Sequence, residues 1–403
     1  MTTDDANPPK PQRAIGANPE RNRAHNRSLV LGLLREHGEI GRAAMARHTR
    51  LTQQAVGNII EELLDEGLVI EMGRLRAGRG QPARQFSLNP QGPVSLGVEI
   101  AAGHLVTVFQ GLTGGLRARS IVPLADTTPG PVMAALQQQI ALLGAETGSP
   151  AIIGMGVVMP GPFEIEGISA VGPATLKGWA GRDPAAMIRD VTGISTVMHE
   201  NDATAAAVYE SLHGAGRALR DFCHVYFGVG LGLGIIHDGR PLRGAFGNAG
   251  EIGQLVLPPR DGGPAVPVED RTSVFALWDF LRETRGPDVS DLDLLTGLDP
   301  ETDPPLLAWV RQAADHLSPL LALVENLFDP ETITLGGLMP RPVLNALIDH
   351  LNPLPVTVSS RQARSLSRVI LGHTGPYTAA LGAAAMPLLD HNTAAELRHD
   401  NRT

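Results

Sequence analysis

The chain has 403 residues, 43% hydrophobic and 19% charged, a globular composition with enough apolar material for two or three domains. It contains no run of ~18 apolar residues, which excludes a membrane-spanning helix, and its single cysteine, Cys223, excludes an internal disulfide framework and a cysteine-rich zinc site. The net charge of −9 is uneven: residues 1–92 carry 13 Lys+Arg against 10 Asp+Glu and the remainder 20 against 32, so only the head has a charge suited to DNA.

Residues 1–20 are polar and proline-rich and read as a disordered tail. The start, MTTDDANPPKPQ, lacks the basic-then-apolar pattern of an export signal, and a cytoplasmic protein is expected. From Asn22 to Arg35, Leu29, Val30, Leu33 and Leu34 recur at helical spacing, with Gly38 as a stop. A short second helix is expected over 41–48 and a turn at Thr49-Arg50-Leu51. Thr52 is a natural N-cap for a third helix, with Val56, Ile59, Ile60, Leu63 and Leu64 on its buried face and Gly67 at its end. Leu68-Val69-Ile70 and Gln85-Phe86-Ser87-Leu88 read as two strands flanking a basic wing, MGRLRAGRGQPAR.

Three short helices and a two-stranded wing make a winged helix-turn-helix over residues 21–92, with the third helix in the major groove. Gln53, Gln54 and Asn58 are candidates for adenine edges, and Thr52 for phosphate. Arg74, Arg76, Arg79, Gln81 and Arg84 lie in the wing, whose slim Gly78–Pro82 stretch suits a narrow minor groove. The alternative for this head is a helical protein-interaction module.

Strands and helices then alternate, the pattern of an α/β body. Strands are expected at 94–100, 105–110, 151–160 and 332–337, and helices at 199–208 and 379–389. Two strand-then-glycine entries, near 94–103 and 223–234, suggest two lobes of related design. Residues 228–253 read GVGLGLG, IIHDGRPLRGAF and GNAGEIG, a glycine alternation suited to a strand and tight hairpin whose amides could approach an anion.

Together GMGVVMPGP, LKGW, ENDATAAA, FGVGLGLGIIHDGRPLRGAFGNAGEIG and TLGG resemble the ROK family of sugar kinases and sugar-responsive repressors. The resemblance implies an actin-like ATPase fold of two lobes over residues 93–390. The lobes would divide near 215–222, the C-terminal helix would return to the first lobe, and 391–403 would be a flexible tail. A winged-helix head is similar to the family's transcriptional branch, which includes xylose and N-acetylglucosamine repressors. The resemblance makes Asp202 the counterpart of the kinases' catalytic base and Asn201, Asn248, Glu251 and Thr175 sugar-side residues. Glu269 would be a further sugar-binding glutamate or a surface group.

The departures define the expected activity. The kinases open with Asp-x-Gly-Gly-Thr, and here Glu99-Ile-Ala101-Ala102-Gly103-His104 places methyl groups where a phosphate should approach. Gly228, Gly230 and Gly232 belong to the second phosphate loop, read as a retained hinge-like turn. Gln254, a further ligand-side candidate, replaces the family's zinc-binding His, and PPRDGGPAVPVED has no cysteine, so neither ATP nor zinc is expected as a cofactor and no residue is expected to be catalytic. The expected protein is a dimeric or tetrameric repressor of carbohydrate genes that binds operator DNA and a sugar. The rival readings are an active sugar kinase with a DNA-binding head and an interaction scaffold.

Overall fold

The protein is described by a computed structural model covering residues 19–75, 83–160, 176–286, 295–361 and 364–393. The head contains α1 (Pro19–His37), β1 (Ile40–Gly41), α2 (Arg42–Thr49), α3 (Gln53–Asp65), β2 (Val69–Leu75) and β3 (Ala83–Leu88). Thr52 caps α3 by accepting the Ala55 amide at 3.1 Å, so one of the helix's orphan donors is satisfied by the residue expected to do so. Val56, Ile59, Ile60 and Leu63 point into a head core with Val30, Leu34, Met45 and Phe86.

Two boundaries differ from the sequence reading. The first helix begins at Pro19, inside the segment assigned to the tail. The wing sheet has three strands, not two, because Ile40 and Gly41 pair antiparallel with Phe86 and Gln85. Two residues are too few for any periodicity to show.

The body contains two five-stranded sheets built to one plan. The first has the order β6 (Leu116–Pro123), β5 (His104–Gly111), β4 (Val94–Ile100), β7 (Ile152–Val158), β8 (Val197–Glu200). The second has the order β11 (Arg240–Pro241), β10 (Leu231–His237), β9 (Phe222–Phe227), β14 (Ile333–Gly337), β15 (Val369–Thr374). In each, three antiparallel strands are followed by two added in parallel. Near-continuous apolar runs in β4, β7, β9 and β14 fit strands covered on both faces.

Helices α4 (Pro129–Glu146) and α5 (Pro184–Thr192) cover one face of the first sheet. Helices α8 (Val274–Arg285), α9 (Pro304–Phe328) and α10 (Arg341–Leu351) bury a larger core against the second. Cys223 lies within that core, and burial pushes its thiol up to about 12, so it is an inert packing group. Between the sheets run α6 (Asp202–His213) and α11 (Thr378–Thr393), both alanine-rich. Small residues let these helices lie close to backbone: a Cβ on Gly382 of α11 would overlap the backbone of Ala205 in α6.

The glycine alternation of residues 228–234 has its cause here. Leu231, Leu233 and Ile235 enter the second core, while Gly232 and Gly234 face α6, where a Cβ would overlap Ala203 and Ala207. These glycines seat a helix on a strand.

Candidate functional site

A cavity of about 150 Å³ opens between the two sheets. Its floor is the N-terminus of α6, its walls are the ends of β4, β7 and β9, and its roof is the loop at 250–254 together with α7 (Glu269–Thr272). Four carboxylates line it: Glu99, Asp202, Glu251 and Glu269, and no Lys, Arg or His lines it among the described residues.

Asn201 is the N-cap of α6, accepting the Thr204 amide at 2.7 Å, so capping falls to Asn201 and not to Asp202. Asp202, the first helical residue, accepts its neighbour Ala203's amide at 2.8 Å. Burial raises its carboxyl to about 6, and that hydrogen bond only partly offsets the effect. Burial, helped by Asp202, raises Glu99 to about 8, and one of its oxygens is buried without a hydrogen bond among the described residues. Burial together with Asp202 and Glu269 raises Glu251 to about 7.

Glu269 resolves to the cavity and is 4% exposed, which excludes the surface reading. It accepts Gln254 Nε2 at 2.5 Å and the Leu231 amide at 3.4 Å. Gly230 and Gly253 permit this approach, because a Cβ on either would meet the Glu269 carboxylate. Gly250, at φ +97°, passes so close to β10 that a Cβ would overlap the Leu233 carbonyl.

Other site expectations divide. Gly228, Gly230 and Gly232 line the cavity. Gly103 and Asn248 do not: Gly103 sits in the β4–β5 turn with its carbonyl accepting the Leu124 amide, and Asn248 lies in the loop outside. In place of Gly103, Ala101 and Ala102 line the cavity wall. Thr175 lies outside the described residues.

Three participants were missed. Tyr226 is buried beside Glu99 and Asp202, which raise its hydroxyl well above the usual value after burial has done most of the work. Glu200, 3% exposed, accepts Arg243 Nε at 2.5 Å and the Asn201 amide at 3.1 Å, tying the 242–249 loop to the cavity floor. Both residues stood inside quoted motifs, ENDATAAA and GRPLRGAF, and only their pairing was hidden. The zinc donor set does not fit, since Gln254 and a cysteine-free loop stand at the expected ligands; among the described residues no group of three His, Cys, Asp or Glu could hold a metal.

In the head, Gln53, Gln54 and Asn58 are exposed on α3, as is Thr52 at its cap. Arg84 pairs with Glu71 at 3.1 Å, and Arg74 stands opposite Arg84 in the β2–β3 register. Arg76, Arg79 and Gln81 lie outside the described residues. No helix among the described residues is long and apolar enough to cross a membrane.

The head and body meet directly. Leu112, Ile153, Leu212 and Leu388 of the body pack into the head core, and the Arg217 guanidinium donates to the Arg35 and Glu36 carbonyls at the end of α1. Helix α6 therefore begins at the cavity and ends, at Leu212 and His213, against the head.

A winged helix joined to a two-lobed α/β body with a cleft over a helix N-terminus defines an actin-like ATPase fold carrying a DNA-binding-type head. The chain belongs to the ROK family, whose pattern matches residues 95–388. The Bacillus subtilis xylose repressor is 24% identical over 234 residues, 58% of this chain and 60% of that protein. An uncharacterised Sinorhizobium fredii protein, y4fQ, is 25% identical over 370 residues, 90% of each chain. The structure of a ROK transcriptional regulator described as a homologue of the E. coli MLC protein superposes with a TM-score of 0.67 at 23% identity, covering 93% of this chain and 97% of that one. A Streptomyces griseus ROK glucokinase superposes with a TM-score of 0.57 at 21% identity over 73% of this chain and 98% of that one.

Proposed function

We propose that the protein is a sugar-responsive transcriptional regulator: the winged helix binds operator DNA as a symmetric dimer, and a sugar or sugar derivative in the cleft releases it. The observation that carries this reading is α6, which bears Asn201 and Asp202 at one end and meets the head core at the other. A helix of 12 residues spans about 18 Å and moves as a rigid rod. A ligand drawing Asp202, Glu251 and Glu269 together shifts α6 and with it the joint, provided it binds one arrangement better than the other. The repressors among the relatives support this sense of regulation, and the methyl groups of Ala101 and Ala102 support a cleft that senses sugar without phosphorylating it. ATP-coupled assays with the sugar panel are expected to release ADP only at background.

The test is a mobility shift with the DNA upstream of its own gene, at low salt, with and without a panel of pentoses, hexoses, polyols and sugar acids. A shift that one member reverses is expected, and no shift under any condition sinks the reading. Gln54→Ala and Asn58→Ala are expected to weaken operator binding by roughly 1–3 kcal/mol each while leaving the sugar response intact.

The cleft has its own test. Asp202→Asn retains the helix terminus, because Asn201 holds the cap, yet removes a carboxylate acceptor for sugar hydroxyls. The reversing sugar should lose at least tenfold in effective concentration against this variant in the same assay. An unchanged dose response would place the ligand elsewhere.

A further inference from the structure

We propose that the joint between head and body is a second binding site, for a small metabolite carrying a phosphate or carboxylate, held by Arg35 and Arg217 with His213. The joint forms a half-open cavity of about 420 Å³, distinct from the cleft. That volume falls in the range of about 300–1,000 Å³ found for small-molecule pockets. Head and body both contribute: Leu34, Arg35 and Met72 on one side, Thr113, Leu212 and His213 on the other.

Its charges are unbalanced. Arg35 Nε and Nη1 are buried and make no hydrogen bond among the described residues, and burial lowers its pKa to about 10 with no carboxylate restoring it. A guanidinium with two nitrogens buried and no counter-ion is costly, and an unsatisfied buried polar group in a native protein calls for a reason. Arg217 brings a second guanidinium from the segment after α6 and covers the last carbonyls of α1, which would otherwise repel an anion. His213 Nε2 is also buried and makes no hydrogen bond among the described residues. Burial and the two arginines hold its ring neutral, with a pKa of about 3, so it can donate one hydrogen bond without adding charge. Glu39, exposed at the edge, is the one carboxylate among the described lining residues.

Phosphate and carboxylate match a guanidinium fork, and Arg is suited to their bidentate recognition. An oxyanion here would bridge head and body, so it clamps the arrangement in which the head is docked. The site itself does not depend on the reading of the cleft; only its effect on DNA binding does.

Thermal unfolding of the full chain tests this in an anion-poor zwitterionic buffer, with ionic strength held constant by potassium chloride. Inorganic phosphate, glucose 6-phosphate and gluconate are titrated separately. A saturable rise in Tm of about 2–4 °C is expected with at least one of them. A larger rise with glucose 6-phosphate than with phosphate assigns the ligand to phosphate esters; equal rises assign it to the free anion. Arg35→Met is expected to raise Tm without anion, because it removes a buried unpaired charge, and to abolish the response. Arg217→Met, at an exposed position, is expected to cut the response at least fivefold and keeps the test decisive should Arg35→Met fold poorly. Arg217 lies outside the cleft, so a response that Arg217→Met cuts belongs to this site and not to the cleft. A parent protein that responds to none of the three, or a full response in Arg217→Met, overturns the proposal.

Discussion

At pH 8, Glu99→Gln is expected to be more stable than the parent by about 2–4 kcal/mol, and at pH 4.5 the two are expected to unfold together. Glu99 is raised from 4.5 to about 8 by burial and by Asp202. The folded state therefore holds this proton where the unfolded chain has lost it. Between pH 4.5 and 8 the native state binds more protons, so stability falls as pH rises. The contribution of protonated Glu99 is intact below the unfolded pKa and is lost as pH climbs through about 8. At about 1.4 kcal/mol per unit, the shift bounds the effect near 5 kcal/mol, and relaxation of the site brings it down. Glutamine keeps the shape of the protonated acid and cannot ionise, so it removes the pH dependence without opening a cavity. Urea midpoints at pH 4.5, 6 and 8 decide it, and a constant difference across all three would show that Glu99 is solvated.

That carboxylate opens the segment that the sequence reading took for a degraded phosphate loop, and its neighbourhood shows what a sequence can and cannot convey. The head was legible because caps and periodicity are local: Thr52 announces α3, and the apolar spacing of 56–63 gives its buried face. The cleft was legible where a motif carries its own geometry, as Asn201 and Asp202 do at a helix start. Glu269 remained open because its place depends on a loop that folds back through β12 (Val256–Leu257) and β13 (Val266–Pro267), a long-range event. Asn248 and Gly103 were drawn in by proximity to motif residues, yet the turns around them point elsewhere. The glycines at 232 and 234 suggested a phosphate cradle because a strand sequence does not say what covers each face; α6 covers theirs. Arg35 and His213 meet only when head and body dock, and a residue's partner across such a joint leaves no trace in local pattern.

Gly156→Ala is expected to destabilise the fold by at least about 3 kcal/mol and to abolish operator binding at ordinary temperatures, although the residue touches neither DNA nor the cleft. A Cβ on Gly156 would overlap the carbonyl oxygen of Ala383 in α11, and one on Gly97 would overlap that of Ala380. Both obstacles are backbone within a helix, so no side-chain rotation relieves them and the helix must move. Ala379, Ala380, Ala383, Ala384 and Ala385 are fully buried along that helix, so its hold on the sheet comes from close approach over its whole length. Further along, Leu388 enters the head core, so displacing α11 withdraws support from the winged helix as well. Gly144→Ala is the control: it lies in α4 with nothing within 4 Å of a new Cβ, and a stabilisation of about 0.5–1 kcal/mol is expected there. Chemical denaturation of both variants, followed by the mobility shift, distinguishes the cases. Equal midpoints for the two would mean that α11 does not lie against β7 as described. A lower midpoint for Gly156→Ala, with operator binding lost in proportion, would make α11 a second connection, beside α6, between the body and the head.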